Sequence, residues 1–110
     1  MSAVRSKAIP TVFIDDARTI VTEWRFAPGS ETGWHRHGHD YVVVPMTTGK
    51  LKLEEPGGVE RIVDLVAGKP YARGEGVEHN VVNASPHEFV FIEIEMKQHA
   101  GAAGCHQPKP

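Results

Sequence analysis

The sequence predicts an all-β chain, and three observations carry that prediction. β-Branched and aromatic residues gather in short runs, several of which alternate apolar with polar residues as a strand with one buried face does. Eleven glycines and eight prolines punctuate those runs. No segment holds the 3.6-residue period of an amphipathic helix past two turns. Short strands with turn signals at such regular intervals read as an antiparallel sandwich or barrel.

Taken in order, Thr11-Val-Phe-Ile14 is a short apolar strand closed by the turn-forming Asp15-Asp16. Arg18 to Ala27 is rich in β-branched and aromatic residues and ends at Pro28-Gly29. Within it Trp24 and Phe26 share a face, which marks them as core. Tyr41 to Met46 is a nearly continuous apolar run leading to Gly49, and Lys50 to Glu54 alternates cleanly. Pro56-Gly57-Gly58 reverses the chain into Val59 to Val66. Val77 to Val82 straddles His79, and Glu88 to Met96 is the last strong strand. In that strand Glu93 and Glu95 alternate with Ile92 and Ile94; solvent is the expected side for both carboxylates, with the cavity as the alternative for one of them.

One domain is expected over residues 1–97, followed by a flexible tail over 98–110 that is small, polar and proline-terminated. The tail's His99, Cys105 and His106 read as solvated residues. A net charge of −2 offers no basic stripe for nucleic acid. The N-terminus has no apolar core of a signal peptide, and no run approaches the length of a membrane helix. A single cysteine rules out an internal disulfide framework and fits a reducing cytoplasm.

The chemistry-bearing segment is Gly29-Ser-Glu-Thr-Gly-Trp-His35-Arg-His37-Gly-His39-Asp-Tyr41 together with the distant His79. Alternate residues of an extended chain point to one face, so His35 and His37 can aim two imidazoles at a common point. Imidazole is the commonest ligand for first-row transition metals, and His79 offers a third donor from a separate strand. His39 shares the parity of His35 and His37 if the chain stays extended, and is a candidate fourth ligand. Glycines here fall where strands turn and a positive φ favours them.

The chain resembles a small single-domain cupin of the RmlC-like jelly-roll type. The family's first motif is G-x5-H-x-H-x3or4-E-x6-G, and Gly29, His35, His37 and Gly49 match it. Its second is G-x5-P-x-G-x2-H-x3-N, matched by Gly68, Gly76, His79 and Asn83, with Gly74 in the proline's place. The Thr22–Gly29 and His35–Met46 segments also resemble the small bacterial cupins of β-alanine degradation. The resemblance implies a double-stranded β-helix binding one divalent metal per chain (Fe, Zn, Ni or Mn) through His35, His37 and His79.

One departure stands out. The motif glutamate should fall at position 41 or 42, which hold Tyr41 and Val42. Three neutral imidazoles would leave the ion its full +2 charge, favouring ionisation of bound water or capture of an anionic substrate. Three-histidine cupins include thiol dioxygenases. Tyr41 is the candidate catalytic acid, hydrogen-bonding within the barrel or donating a proton once a metal lowers its pKa. Arg73 is a candidate clamp for a substrate carboxylate, set against the plainer reading of a solvated loop arginine. The resemblance thus implies a cytoplasmic homodimer. It would act as a dioxygenase, isomerase or lyase on a small carboxylate-bearing metabolite of amino-acid or organic-acid catabolism. A non-catalytic metal- or small-ligand-binding module is the alternative.

Overall fold

Nine strands fold into two facing antiparallel sheets in the computed structural model, which describes residues 4–97. The tail expected over 98–110, with His99, Cys105 and His106, lies outside the described residues. The strands are β1 (Ile9–Asp15), β2 (Thr19–Phe26), β3 (His35–Arg36), β4 (Asp40–Pro45), β5 (Gly49–Glu55), β6 (Val59–Leu65), β7 (Tyr71–Arg73), β8 (Glu78–Asn83) and β9 (Phe89–Met96). One sheet runs β1-β2-β9-β4-β7 and the other β3-β8-β5-β6. Strands distant in sequence are neighbours in both, as a jelly roll requires. Among the described residues no helix is long and apolar enough to cross a membrane.

Each strand's inner residues follow from its alternation. Phe26, Tyr41, Val43, Leu51, Leu53, Val81, Phe89 and Phe91 are buried between the sheets. Phe26 and Phe91 pack with ring centroids 5.4 Å apart. Burying side chains of this size contributes roughly 1.5–3 kcal/mol each, so they hold the sheets together. Pro56–Gly58 forms a single 3-10 turn, with Gly57 and Gly58 both at positive φ, and closes the β5–β6 hairpin.

Three features depart from expectation. Position 49 is glycine because of close approach: its φ is not positive, and a side chain there would meet Ser85 Oγ and the Phe89 ring. Tyr71–Arg73 is a strand paired with β4, so Arg73 belongs to the sheet rather than to a loop. Three residues bounded by Pro70 and Gly74 are too short to register as a strand in the sequence. β1, in contrast, is exposed along its whole length and pairs with the sheet through β2, with Asp15 also bound by Lys97.

Candidate metal centre

Three histidines converge between the sheets. His35 on β3 and His79 on β8 are direct cross-strand partners. β3 ends at Arg36, yet His37 is held in place by its backbone. Its N–H donates to Val77 O at 2.8 Å, and its carbonyl accepts from Gly76 N at 2.8 Å. Gly76 makes that approach at φ +94°, a conformation open mainly to glycine. The three Nε2 atoms meet, His35 to His37 at 3.0 Å and His37 to His79 at 3.2 Å, with the rings nearly perpendicular to one another.

That spacing fits a single ion. Ligand nitrogens about 2.0–2.1 Å from a common ion, at angles of roughly 95–105°, lie about 3 Å apart. The other ring nitrogens set the tautomers. His35 Nδ1 lies 2.8 Å from Gly33 O, which can only accept, so it carries the proton and Nε2 presents its lone pair inward. His37 Nδ1 faces the Glu93 carboxyl at 3.9 Å. His79 Nδ1 is buried without a hydrogen-bond partner among the described residues. Burial, and then the neighbouring imidazoles, push His37 down to about 3 and, with Arg73 adding to it, His79 to about 4. Both are therefore neutral at pH 7, the form that binds metal.

A polar network secures this arrangement from below. Asn80 Oδ1 accepts from Gly33 N at 2.9 Å, while its amide donates to Glu31 and Glu54 at 2.8 and 2.9 Å. Arg5 bridges the same two carboxylates, and its guanidinium chiefly holds Glu54 down at about 2. Gly33, whose carbonyl orients His35, is thus anchored through its N–H and Asn80 to an ion-pair cluster.

His39 does not join the group. Alternation ends at Arg36, and a bend at Gly38-His39 takes its half-buried ring away from the converging nitrogens. Tyr41 does reach the cavity. It is 2 % exposed and stacks on His37 with centroids 3.8 Å apart. Its buried hydroxyl has no hydrogen-bond partner among the described residues. The protein surroundings move it opposite to the lowering expected of a bound metal: burial pushes the phenol above its usual range, so it keeps its proton at neutral pH.

Glu93 takes the alternative placement, the cavity rather than the solvent expected first for both carboxylates of the strand. It shares the parity of Phe89 and Phe91, and that inward parity was the available signal. It is 8 % exposed, lines the cavity with the histidines, and is pushed up to about 7 by burial and by Glu95. Trp24 lines the same cavity, so it forms cavity wall as well as core. Tyr71 and Arg73 complete the wall from β7. The free volume between these groups is about 20 Å³, room for one water-sized group.

Two glycine-framed histidine segments, placed at neighbouring strands of one sheet of a jelly roll with their imidazoles turned inward, define the class. The chain belongs to the cupins, in the group that includes the β-alanine degradation proteins. It is 66 % identical over 93 residues to the Beta-alanine degradation protein BauB of Pseudomonas aeruginosa, covering 84 % of this chain and 97 % of that one. A cupin domain from Bordetella pertussis Tohama I superposes with a TM-score of 0.85 at 62 % identity, covering 88 % and 100 % of the two chains. A cupin superfamily protein from Desulfitobacterium hafniense, 13 % identical with a TM-score of 0.67 over 89 % and 84 %, shares the fold. A scan against protein-family models gave no match.

Proposed function

We propose that this cupin binds one divalent transition metal per chain through His35, His37 and His79 and acts as an enzyme on a small carboxylate-bearing metabolite. The observation that carries the reading is the meeting of three neutral, buried imidazoles with their Nε2 atoms 3.0–3.2 Å apart. Three nitrogens this close with no metal between them would repel through their lone pairs or share one proton awkwardly. The donor set accepts iron, zinc, nickel or manganese. Bound there, such an ion supplies Lewis-acid or oxygen-activating chemistry. Tyr41 offers a protonated hydroxyl beside His37, and Glu93 holds a carboxyl near the Nδ1 edge of the same ring. Dioxygenase, isomerase and lyase reactions all suit this set. The name of the Pseudomonas aeruginosa relative supports a place in amino-acid or organic-acid catabolism, and with it the cytoplasm.

A homodimer belongs to the same reading. Ile14, Val21, Ile94 and Val42 form a continuous apolar row across β1, β2, β9 and β4 on the outer face of the five-stranded sheet. β1 adds exposed Ile9, Val12 and Phe13. A sheet apolar on both faces calls for a second layer, which a twin subunit supplies.

Elemental analysis of tag-free protein, beside a His35→Ala/His37→Ala double variant, tests the site. Near-stoichiometric metal in the parent and none in the folded variant is the expected result. A parent that is empty and refuses added metal overturns the enzyme reading and leaves the non-catalytic module.

A further inference from the structure

The two sheets do not close on each other everywhere. β7 ends the five-stranded sheet and β6 ends the four-stranded one. Between these two edges lies a cleft of about 220 Å³, lined by Leu53, Arg61, Val63, Leu65, Tyr71 and Arg73. Three of these residues, Leu53, Tyr71 and Arg73, also line the histidine cavity. The cleft and the cavity therefore share a wall, and Arg73 stands at the junction.

The two arginines of the cleft differ in one respect. Arg61 is held by Glu55 through two hydrogen bonds of 2.9 and 2.8 Å, so its charge is already matched. Arg73 is half-buried on β7, the direct partner of Tyr41 on β4. Among the described residues no carboxylate comes within ion-pair distance of it. Its field nevertheless reaches His37, His79, Tyr41 and Tyr71. Half-buried beside Leu53, Val63 and Leu65, and with no carboxylate paired to it among the described residues, this guanidinium offers its fork of donors to a bound anion. The rest of the cleft is Leu53, Val63, Leu65 and the Tyr71 ring, which suits a short hydrocarbon segment. Its volume lies below the range of drug-sized ligand sites, so the occupant is a small metabolite.

We propose that the seam between β6 and β7 is the substrate subsite. In it Arg73 binds the carboxylate of a short-chain acid while Leu53, Val63 and Leu65 hold its aliphatic part. This rests on the reading of the histidine cluster as the reactive centre, since it is the shared wall that makes the cleft its antechamber. The carboxylate sits beside Tyr41 and the imidazoles, and the chain length the cleft accepts sets the specificity.

The test uses the full chain carrying Trp34→Phe, which removes the exposed indole and leaves Trp24 in the cavity wall as reporter. Acetate, propanoate, butanoate and pentanoate, their primary amides and inorganic phosphate are titrated into zinc-loaded and metal-free protein, with Trp24 fluorescence and amide chemical shifts as readouts. Affinity is expected to rise two- to fourfold per methylene, following the burial of each CH₂. The acids should bind at least tenfold more tightly than the amides. Arg73→Met should abolish that preference with zinc content unchanged, and Arg73→Lys should retain part of it. Leu65→Asn should flatten the chain-length series while leaving acetate binding intact. If Arg73→Met keeps the acid preference within twofold, or phosphate binds more tightly than pentanoate, the assignment is overturned. So too if Leu65→Asn leaves the series unaltered. Protein that takes up no zinc but shows the Arg73-dependent series defeats the metal reading and leaves the carboxylate subsite standing.

Discussion

Acid should destabilise the metal-free protein in a way that the buried groups of the cavity dictate. Consider chelator-treated protein between pH 6 and 5. Unfolded, His37 and His79 titrate near 6.5; folded, they are pushed down to about 3 and about 4. In this window the unfolded chain therefore binds up to two protons that the folded chain refuses, and stability falls as pH falls. Glu93 works the other way. Folded, it titrates at about 7 and unfolded at 4.5, so here the folded state holds one proton that the unfolded state lacks. The difference is one proton in favour of the unfolded state, a loss of roughly 1 kcal/mol for each pH unit lowered. Glu93→Gln removes the opposing proton and should steepen the loss to roughly twice that. His79→Asn removes one of the two driving protons and should leave the curve nearly flat. Urea unfolding followed by circular dichroism at half-unit steps of pH measures all three slopes. A parent whose stability is flat or rising from pH 6 to 5, or a Glu93→Gln variant with the parent's slope, would refute the assignment of these groups as buried and oppositely perturbed.

Three further outcomes are expected. Gly49→Ala places a methyl against Ser85 Oγ and the Phe89 ring, and should lower stability by about 1–3 kcal/mol in a thermal melt. Tyr41→Phe removes a buried hydroxyl that has no partner, so the melting temperature should hold or rise slightly with metal content unchanged; a fall of several degrees would show that the hydroxyl is bonded after all. Ile94→Lys puts a charge in the middle of the outer apolar row and should convert a dimer to monomer in sedimentation velocity, whereas a parent that sediments as a monomer removes the second-layer argument.

Much of this site was legible because metal-ligand chemistry needs particular residue types at particular spacings. Two imidazoles separated by one residue, framed by Gly29 and Gly49, and a third framed by Gly68 and Gly76, pointed to His35, His37 and His79 before any coordinates. The all-β class followed from alternation and turn residues, which are local properties. His39 had the same parity as its neighbours, but parity holds only while the strand lasts, and β3 is two residues long. Glu93 shows the reverse case. Phe89, Phe91 and Glu93 alternate with Val90, Ile92 and Ile94, and both sets are apolar enough to be the inner one. Which set faces the cavity depends on how β9 registers between β2 and β4, a long-range pairing that no local window contains.

The sequence by itself determined the fold class, the three imidazoles and the absence of the motif carboxylate, because each of these resides in residue identity and short-range spacing. Only the tertiary structure decided that Tyr41 stacks on His37, that Glu93 is buried in the same cavity, and that Arg73 lines it with no carboxylate paired to it among the described residues. Those three residues come from β4, β9 and β7, which lie side by side in one sheet although more than fifty residues separate the first from the second. The raised pKa values of Tyr41 and Glu93 arise from the low dielectric and mutual proximity that this packing creates, and neither property is carried by a residue on its own.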